Sequence, residues 1–363
     1  MPPCGGDGSG VAPPAASADG FDALPDEVLH HILGFLEAYE AVRTCVLAKR
    51  WRHLWRHATG LRVAAADEDA FLESVEKTWE FLDHLLPLRE GSPLQTCELR
   101  FGELGYNEPA LLDDDGTRRV NTWFWHAIMH KVRDLSLYAY FDLHHGLELY
   151  DMPLNSQHLT RLEFTGVEVF SSTFLNFSNC PALEYLRFER CEFSYNISSK
   201  SLKRLIITSD CFGTPVLESM PSLVEAFIDL EAEHNSYVIV GNIGSNSGML
   251  VIFRWCPIFS KLKTLLLDDN WCMPDDFRAL VCFLEHSPVL EKLTLELSSK
   301  RRKSEIIIKG NVRPMEGSAA ILEHLKLVEV KCMAVDERIF KLLMFLCAFK
   351  IRLTTFDTDS DSE

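Results

Sequence analysis

At 363 residues, 47% hydrophobic and 25% charged, the chain has a globular composition and enough apolar material for more than one domain. Its formal net charge of −17 at pH 7 repels phosphate backbones, which argues against nucleic acid as a partner. No uncharged apolar run reaches the roughly 18 residues of a membrane span, and the eleven cysteines, without a C-x-x-C pair, fit neither a metal ribbon nor a disulfide scaffold.

Residues 1–20 have neither a basic start nor a continuous apolar stretch, so they read as a flexible tail and not as a signal peptide. Cys45, Cys97, Cys191 and Cys347 stand in apolar surroundings and are expected as small core residues. That usage suits a reducing compartment, the cytosol or the nucleus.

Ordered sequence begins at Phe21. Pro25 suits the first helical position, and Asp26 and Glu27 follow where the helix dipole favours negative charge. Val28, Ile32 and Leu36 recur at helical spacing, widened by Leu29, Leu33 and Phe35. A second helix is expected from Tyr39 to about Leu47, and a third from about Lys49 to His57 carrying Trp51, Leu54 and Trp55. From Phe21 to Arg62, 22 of 42 residues are apolar, more than three short helices can hide among themselves. Such a face either waits for a partner or packs on the rest of the chain.

The string DALPDEVLHHILGFLEAYEAVRTCVLAKRWRHLWR resembles the F-box, a module that binds Skp-type adaptors. It is closest in style to the plant F-box/LRR group, in which L-P-D-E-V-L, R-T-C-V-L and R-W-R-x-L-W follow in this order. The resemblance implies that Leu24 and Pro25 plug into the adaptor and that Val28, Leu29, Ile32, Leu33 and Leu36 line the same interface. Val46, Trp51, Leu54 and Trp55 complete or support it. Tyr39 departs from the pattern, standing where a smaller residue is usual.

Beyond the module, Phe71, Val75, Trp79, Leu82 and Leu86 mark an amphipathic helix within Asp67–Leu88. The phrase L-x-x-L-x-L then recurs as VRDLSL (132–137), LTRLEF (159–164), LEYLRF (183–188), LKRLII (202–207), LKTLLL (262–267), LEKLTL (290–295) and LEHLKL (322–327), with weaker copies at 94–99 and 223–228. The shorter intervals between copies fall in or near the range of leucine-rich repeats, and the longer ones imply insertions around 231–260 and 298–320. One such strand cannot bury itself, so stacking must stabilise the set. Helical connectors are expected at Val120–Ile128 and Phe277–Leu284. The end of the chain, from His324 to Cys332, then Asp336 and a helix from Ile339 to Phe349, resembles the FBD region of the same plant group.

The expected architecture is α/β: an N-terminal three-helix F-box followed by an irregular leucine-rich-repeat solenoid. It divides into a tail at 1–20, the F-box at 21–62, a helical linker at 63–93, repeats with an FBD-like end at 94–350, and an acidic tail at 351–363. Residues between the leucines should face the open side of the strands. Arg161, Glu163, Tyr185, Arg187 and Arg204 are the candidate substrate contacts there, because Tyr and Arg dominate protein-binding hot spots; solvated strand surface is the competing reading.

Other signals point away from catalysis. His126 and His130 share the spacing of a zinc protease, but Ala127 stands where that chemistry needs Glu. Gly241–Gly248 is no phosphate loop, no G-x-S-x-G elbow occurs, and Lys300–Lys303 reads as a solvated basic loop, with a nuclear import signal as the competing reading. No cofactor or metal is implied. The resemblance implies a non-catalytic subunit of a Skp–cullin–F-box ubiquitin ligase, bound to a Skp-type adaptor, through it to a cullin, and to an unknown protein substrate. A plain repeat scaffold and a small-molecule receptor are the alternatives.

Overall fold

The computed structural model describes residues 23–64, 71–89, 91–103, 114–140, 147–150, 152–169, 173–193, 196–208, 211–213, 216–229, 257–268, 277–297, 306–312, 324–332, 335–348 and 351–357. Its N-terminal part is helical: α1 (Asp26–Leu33), α2 (Ala38–Arg43) continued by a 3-10 turn at Thr44–Val46, and a 3-10 helix at Lys49–His57. Pro25 is the N-cap of α1, one position earlier than expected, and Asp26 and Glu27 occupy the first turn. Helices α3 (Phe71–Leu85), α4 (Asp114–Met129), α5 (Arg278–His286) and α6 (Glu337–Ala348) follow between strands.

Twelve strands form one sheet. Ten run parallel and in chain order: Gly60–Ala64, Thr96–Glu103, Asp134–Tyr140, Arg161–Thr165, Tyr185–Glu189, Arg204–Thr208, Glu225–Ile228, Thr264–Asp268, Lys292–Glu296 and Leu327–Cys332. The last is flanked by Ile306–Val312, which in turn pairs with Ile351–Asp357, both pairings antiparallel. The phrase that repeats in the sequence therefore supplies one strand per copy. Its leucines point inward: Leu162, Leu186, Leu205 and Leu265, with Ala226 between the last two, are in register across five consecutive strands and buried. Against this inner face pack α4, short parallel strands such as Val167–Val169 and Glu192–Phe193, and an aromatic cluster of Phe124, Phe164, Phe174 and Phe188. Each buried Phe or Leu contributes roughly 1.5–3 kcal/mol. The opposite face stays open.

The helical module is fused directly to the sheet. The Thr59 amide donates to the His30 carbonyl at 3.1 Å, Glu37 bridges to Arg62, and the Ala64 amide donates to the Glu37 carboxylate at 3.2 Å. Two glycines make this approach possible. A side chain at Gly34 would come within 2.6 Å of the Gly60 amide nitrogen, and one at Gly60 would land on the Gly34 carbonyl oxygen. Backbone cannot retreat as a flexible side chain can. Gly60→Ala is therefore expected to cost roughly 2 kcal/mol, read as a lowered Tm of the full chain.

Several expectations need correction. The strand Gly60–Ala64 enters the region read as the start of a helical linker; of the helix expected within Asp67–Leu88, residues 67–70 lie outside the described residues and Phe71–Leu85 is helical. Ile351–Asp357 is a paired strand where an acidic tail was expected, because Ile351, Leu353 and Phe356 give it strand-like apolar content. The phrase at 322–327 is out of frame by three: pairing of Leu293 with Val328 makes Leu325, Val328 and Val330 the inward residues. Cys97 and Cys191 are buried and free, but Cys347 is exposed, since α6 buries Ile339, Leu342 and Leu346 instead. Cys45 is half-buried, and Cys282 is disulfide-bonded.

His126 and His130 stack with ring centroids 3.9 Å apart. Burial pushes the His126 pKa down to about 4, helped by His130 and by Arg89, so its ring is neutral at pH 7. Gly241–Gly248 and Lys300–Lys303 lie outside the described residues. Among those described, no helix is long and apolar enough to cross a membrane.

Candidate functional site

Two surfaces merit attention, and the first is on the helical module. Of the residues expected to meet an adaptor, Pro25, Val28 and Val46 are exposed, while Leu24, Ile32 and Leu36 are half-buried against the core. Leu29, Leu33, Trp51, Leu54 and Trp55 are not on the surface at all. They are buried in the chain's own core, Leu29 and Leu33 at 0% and 1% exposure. The correction has a simple cause: α1 turns one stripe toward the 3-10 helix and the sheet, which leaves only its other side for a partner.

Three residues not singled out as partner contacts are more exposed than most that were. Phe35, Tyr39 and Leu47 stand 59%, 61% and 67% open, beside Val46 at 83%. Phe35 follows Gly34, where α1 has ended, so helical periodicity misplaces it. Val46 and Leu47 lie at the end of the 3-10 turn after α2, where neither side chain reaches the core. Exposed apolar side chains are thus concentrated on this one small module.

Polar contacts hold the patch in shape. Arg50 donates to Asp26 and to the Leu24 carbonyl at 2.5 Å, tying the start of α1 to the 3-10 helix Lys49–His57. The Tyr39 ring meets Phe81 of α3 edge-on at 5.8 Å, and the Arg43 guanidinium lies 5.7 Å from the Tyr39 ring. Tyr39, the departure from the usual pattern, thus contacts α3. Burial raises the Glu37 pKa, with the hydrogen bond from the Ala64 amide opposing.

The second surface is the open face of the sheet. The five residues proposed from sequence converge there. Arg161, Tyr185 and Arg204 are cross-strand neighbours in one row, and Glu163 and Arg187 pair in the next. The Arg161 guanidinium sits 3.7 Å from the Tyr185 ring centroid and also pairs with Glu163 at 2.5 Å. Arg187 pairs with Glu189 at 2.8 Å, and Arg204 with Glu225 at 3.1 Å. Burial opposes the charge on Arg187, but the Glu189 carboxylate outweighs it and holds the pKa above the ordinary arginine value.

Sequence reasoning missed the middle of this face. Ile206, Phe227 and Leu266 are cross-strand neighbours on three consecutive strands and point outward, half-buried. The signal was present. In LKRLII, LVEAFI and LKTLLL alone, the outward position between the last two inward residues is apolar, whereas it holds Ser136, Glu163, Arg187 and Thr294 elsewhere.

Comparison with known proteins bears on the first of these surfaces. Residues 21–59 match the F-box domain, a class of module that in general binds Skp-type adaptors. The chain thus carries an F-box at its N-terminus. Over most of its length it is similar to plant F-box/LRR-repeat and FBD-associated F-box proteins. An FBD-associated F-box protein of Arabidopsis thaliana is 26% identical, with 76% of this chain and 77% of the relative covered. An F-box/LRR-repeat protein of the same plant is 26% identical, with 77% and 73% covered. Another F-box/LRR-repeat protein of that plant is 28% identical over 59% of this chain, which spans only 46% of the relative's length.

Proposed function

We propose that this chain is the substrate-recognition subunit of a Skp–cullin–F-box ubiquitin ligase. The observation that carries the reading is the F-box match at residues 21–59, on a module whose Val28, Phe35, Tyr39, Val46 and Leu47 side chains are exposed. A Skp-type adaptor covers this patch and connects the chain to a cullin, while Leu29, Leu33, Trp51, Leu54 and Trp55 brace the patch from behind. The parallel strands, one per L-x-x-L-x-L copy, form an irregular leucine-rich-repeat solenoid whose open face holds a protein substrate. Because the helical module and the first strand share backbone contacts, the substrate is held at a fixed distance from the adaptor. That raises the effective concentration of its lysines near the ubiquitin-charged enzyme. The chain itself makes no bond, and it works in the cytosol or nucleus.

The test is capture of a Skp-type adaptor by the purified full chain. Capture is expected for the native sequence and lost in Leu24→Ala with Pro25→Ala, whose side chains flank the exposed part of α1. Undiminished capture by the double variant would overturn the assignment.

A further inference from the structure

The exposed surface of the helical module continues onto a helix that the F-box match does not include. Tyr39, Arg43 and Val46 stand at i, i+4 and i+7 along α2 and the 3-10 turn that continues it, so they share one side, and all three are exposed. At the Tyr39 end of this stripe the ring meets Phe81 of α3 edge-on, with centroids 5.8 Å apart. An edge-on contact leaves ring surface uncovered: Tyr39 stays mostly in water and Phe81 is only half-buried. Val46, Tyr39 and Phe81 therefore mark one path from the module onto α3, whereas the match ends at residue 59.

Helix α3 is fastened to the body of the chain. Leu82 and Leu85 are buried in the core. The Trp123 indole of α4 donates to the Asp83 carboxylate at 2.9 Å, Arg119 pairs with the same carboxylate at 2.7 Å, and the Trp79 and Trp123 rings meet edge-on. Phe81 thus presents its open part from a helix held on both neighbouring sides. A partner that covers the Tyr39 ring comes within contact distance of Phe81, because the two rings already touch. Half-exposed aromatic surface gains by being covered, and the same partner is the body in reach. A partner gripping only α1 and α2 would be oriented by those short helices alone. A second foothold on α3 fixes its rotation against the sheet.

We propose that the adaptor-binding surface extends beyond the F-box to α3, with Phe81 as a contact that orients the adaptor relative to the sheet. This rests on the reading of the helical module as the adaptor site, and it adds the element that joins that site to the repeats.

The test is site-specific photocrosslinking on the full chain. Photoreactive p-benzoylphenylalanine is placed at position 81, at position 47 or at position 344, and each chain is irradiated with a purified Skp-type adaptor. Position 344 is the control, since Met344 is exposed on α6, next to the last strand of the sheet order. Crosslinks to the adaptor are expected from 81 and 47 and not from 344. In parallel, Phe81→Glu places a carboxylate under the adaptor and should weaken capture roughly ten-fold or more. Phe81→Met keeps the side chain apolar and should hold capture within about two-fold. The crosslink is made in a chain that retains an aromatic ring at 81, so it does not depend on how Phe81→Glu folds. A crosslink from 47 without one from 81, or native capture by Phe81→Glu, would overturn the proposal and leave the ligase reading standing. No capture by the native chain and no crosslink from either position would overturn both.

Discussion

Val46→Asp combined with Leu47→Asp is expected to abolish adaptor capture while leaving the Tm of the free chain within roughly 2 °C of the native value. The two halves of this expectation come from the same numbers. At 83% and 67% exposure, neither side chain supports the fold, so polar replacements cost the monomer little. In the proposed complex the same positions are covered by an apolar partner surface. Two carboxylates would then lose water without gaining a cation, at a cost of several kcal/mol each. That is enough to weaken association by a factor of about 10⁴ or more. Leu29→Asp supplies the contrast. Leu29 is fully buried, so its replacement should lower Tm sharply and lose capture only because the module unfolds. A variant that keeps its Tm and loses its partner separates binding from folding, which an exposed pair can do and a buried residue cannot.

Arg89→Met is expected to destabilise the chain by roughly 2–4 kcal/mol, read as a Tm lowered by about 5–10 °C. Arg89 is 2% exposed, a buried cation at the end of the short turn after α3. Its guanidinium donates to the Ala58 carbonyl at 2.6 Å and to the Trp55 carbonyl at 3.5 Å, at the C-terminal end of the 3-10 helix where unpaired carbonyls gather negative potential. Burial pushes its pKa down to about 10, which still leaves it charged at neutral pH. Replacing a buried charge with an apolar isostere is often harmless when its partners go too. Here the Ala58 carbonyl remains and loses the Arg89 donor, while the Trp55 carbonyl keeps the Ala58 amide, and the loss at Ala58 decides the sign. A Tm unchanged in Arg89→Met would mean that water or another donor reaches the Ala58 carbonyl.

The repeated phrases are the most legible part of the fold, because inward Leu at two-residue spacing is dictated by burial and burial is written in residue type. Leu162, Leu186 and Leu205 fall where the pattern places them. The pattern fails where leucines allow two frames, as at 322–330, since only pairing with Leu293 chooses between them. The strand at 351–357 was illegible because its partner, Ile306–Val312, lies within an insertion that blurs the register. In the helical module, periodicity identifies which residues are apolar but not which of two apolar sides the rest of the chain covers. Leu29 and Val28 are adjacent and equally hydrophobic in sequence, yet one is core and the other surface. The open face was half-read for the opposite reason. Attention to Arg and Tyr found Arg161 and Tyr185 and passed over Ile206, Phe227 and Leu266, whose apolar character made them look like core.

The central claim is that an apolar surface at the N-terminus is covered by an adaptor and the sheet face is not. Amide hydrogen exchange on the full chain, with and without a Skp-type adaptor, addresses this directly. Protection is expected to rise across residues 24–47, with strands Arg161–Thr165 to Lys292–Glu296 unchanged. Unaltered exchange at 24–47, or adaptor-induced protection confined to the sheet, would contradict the account.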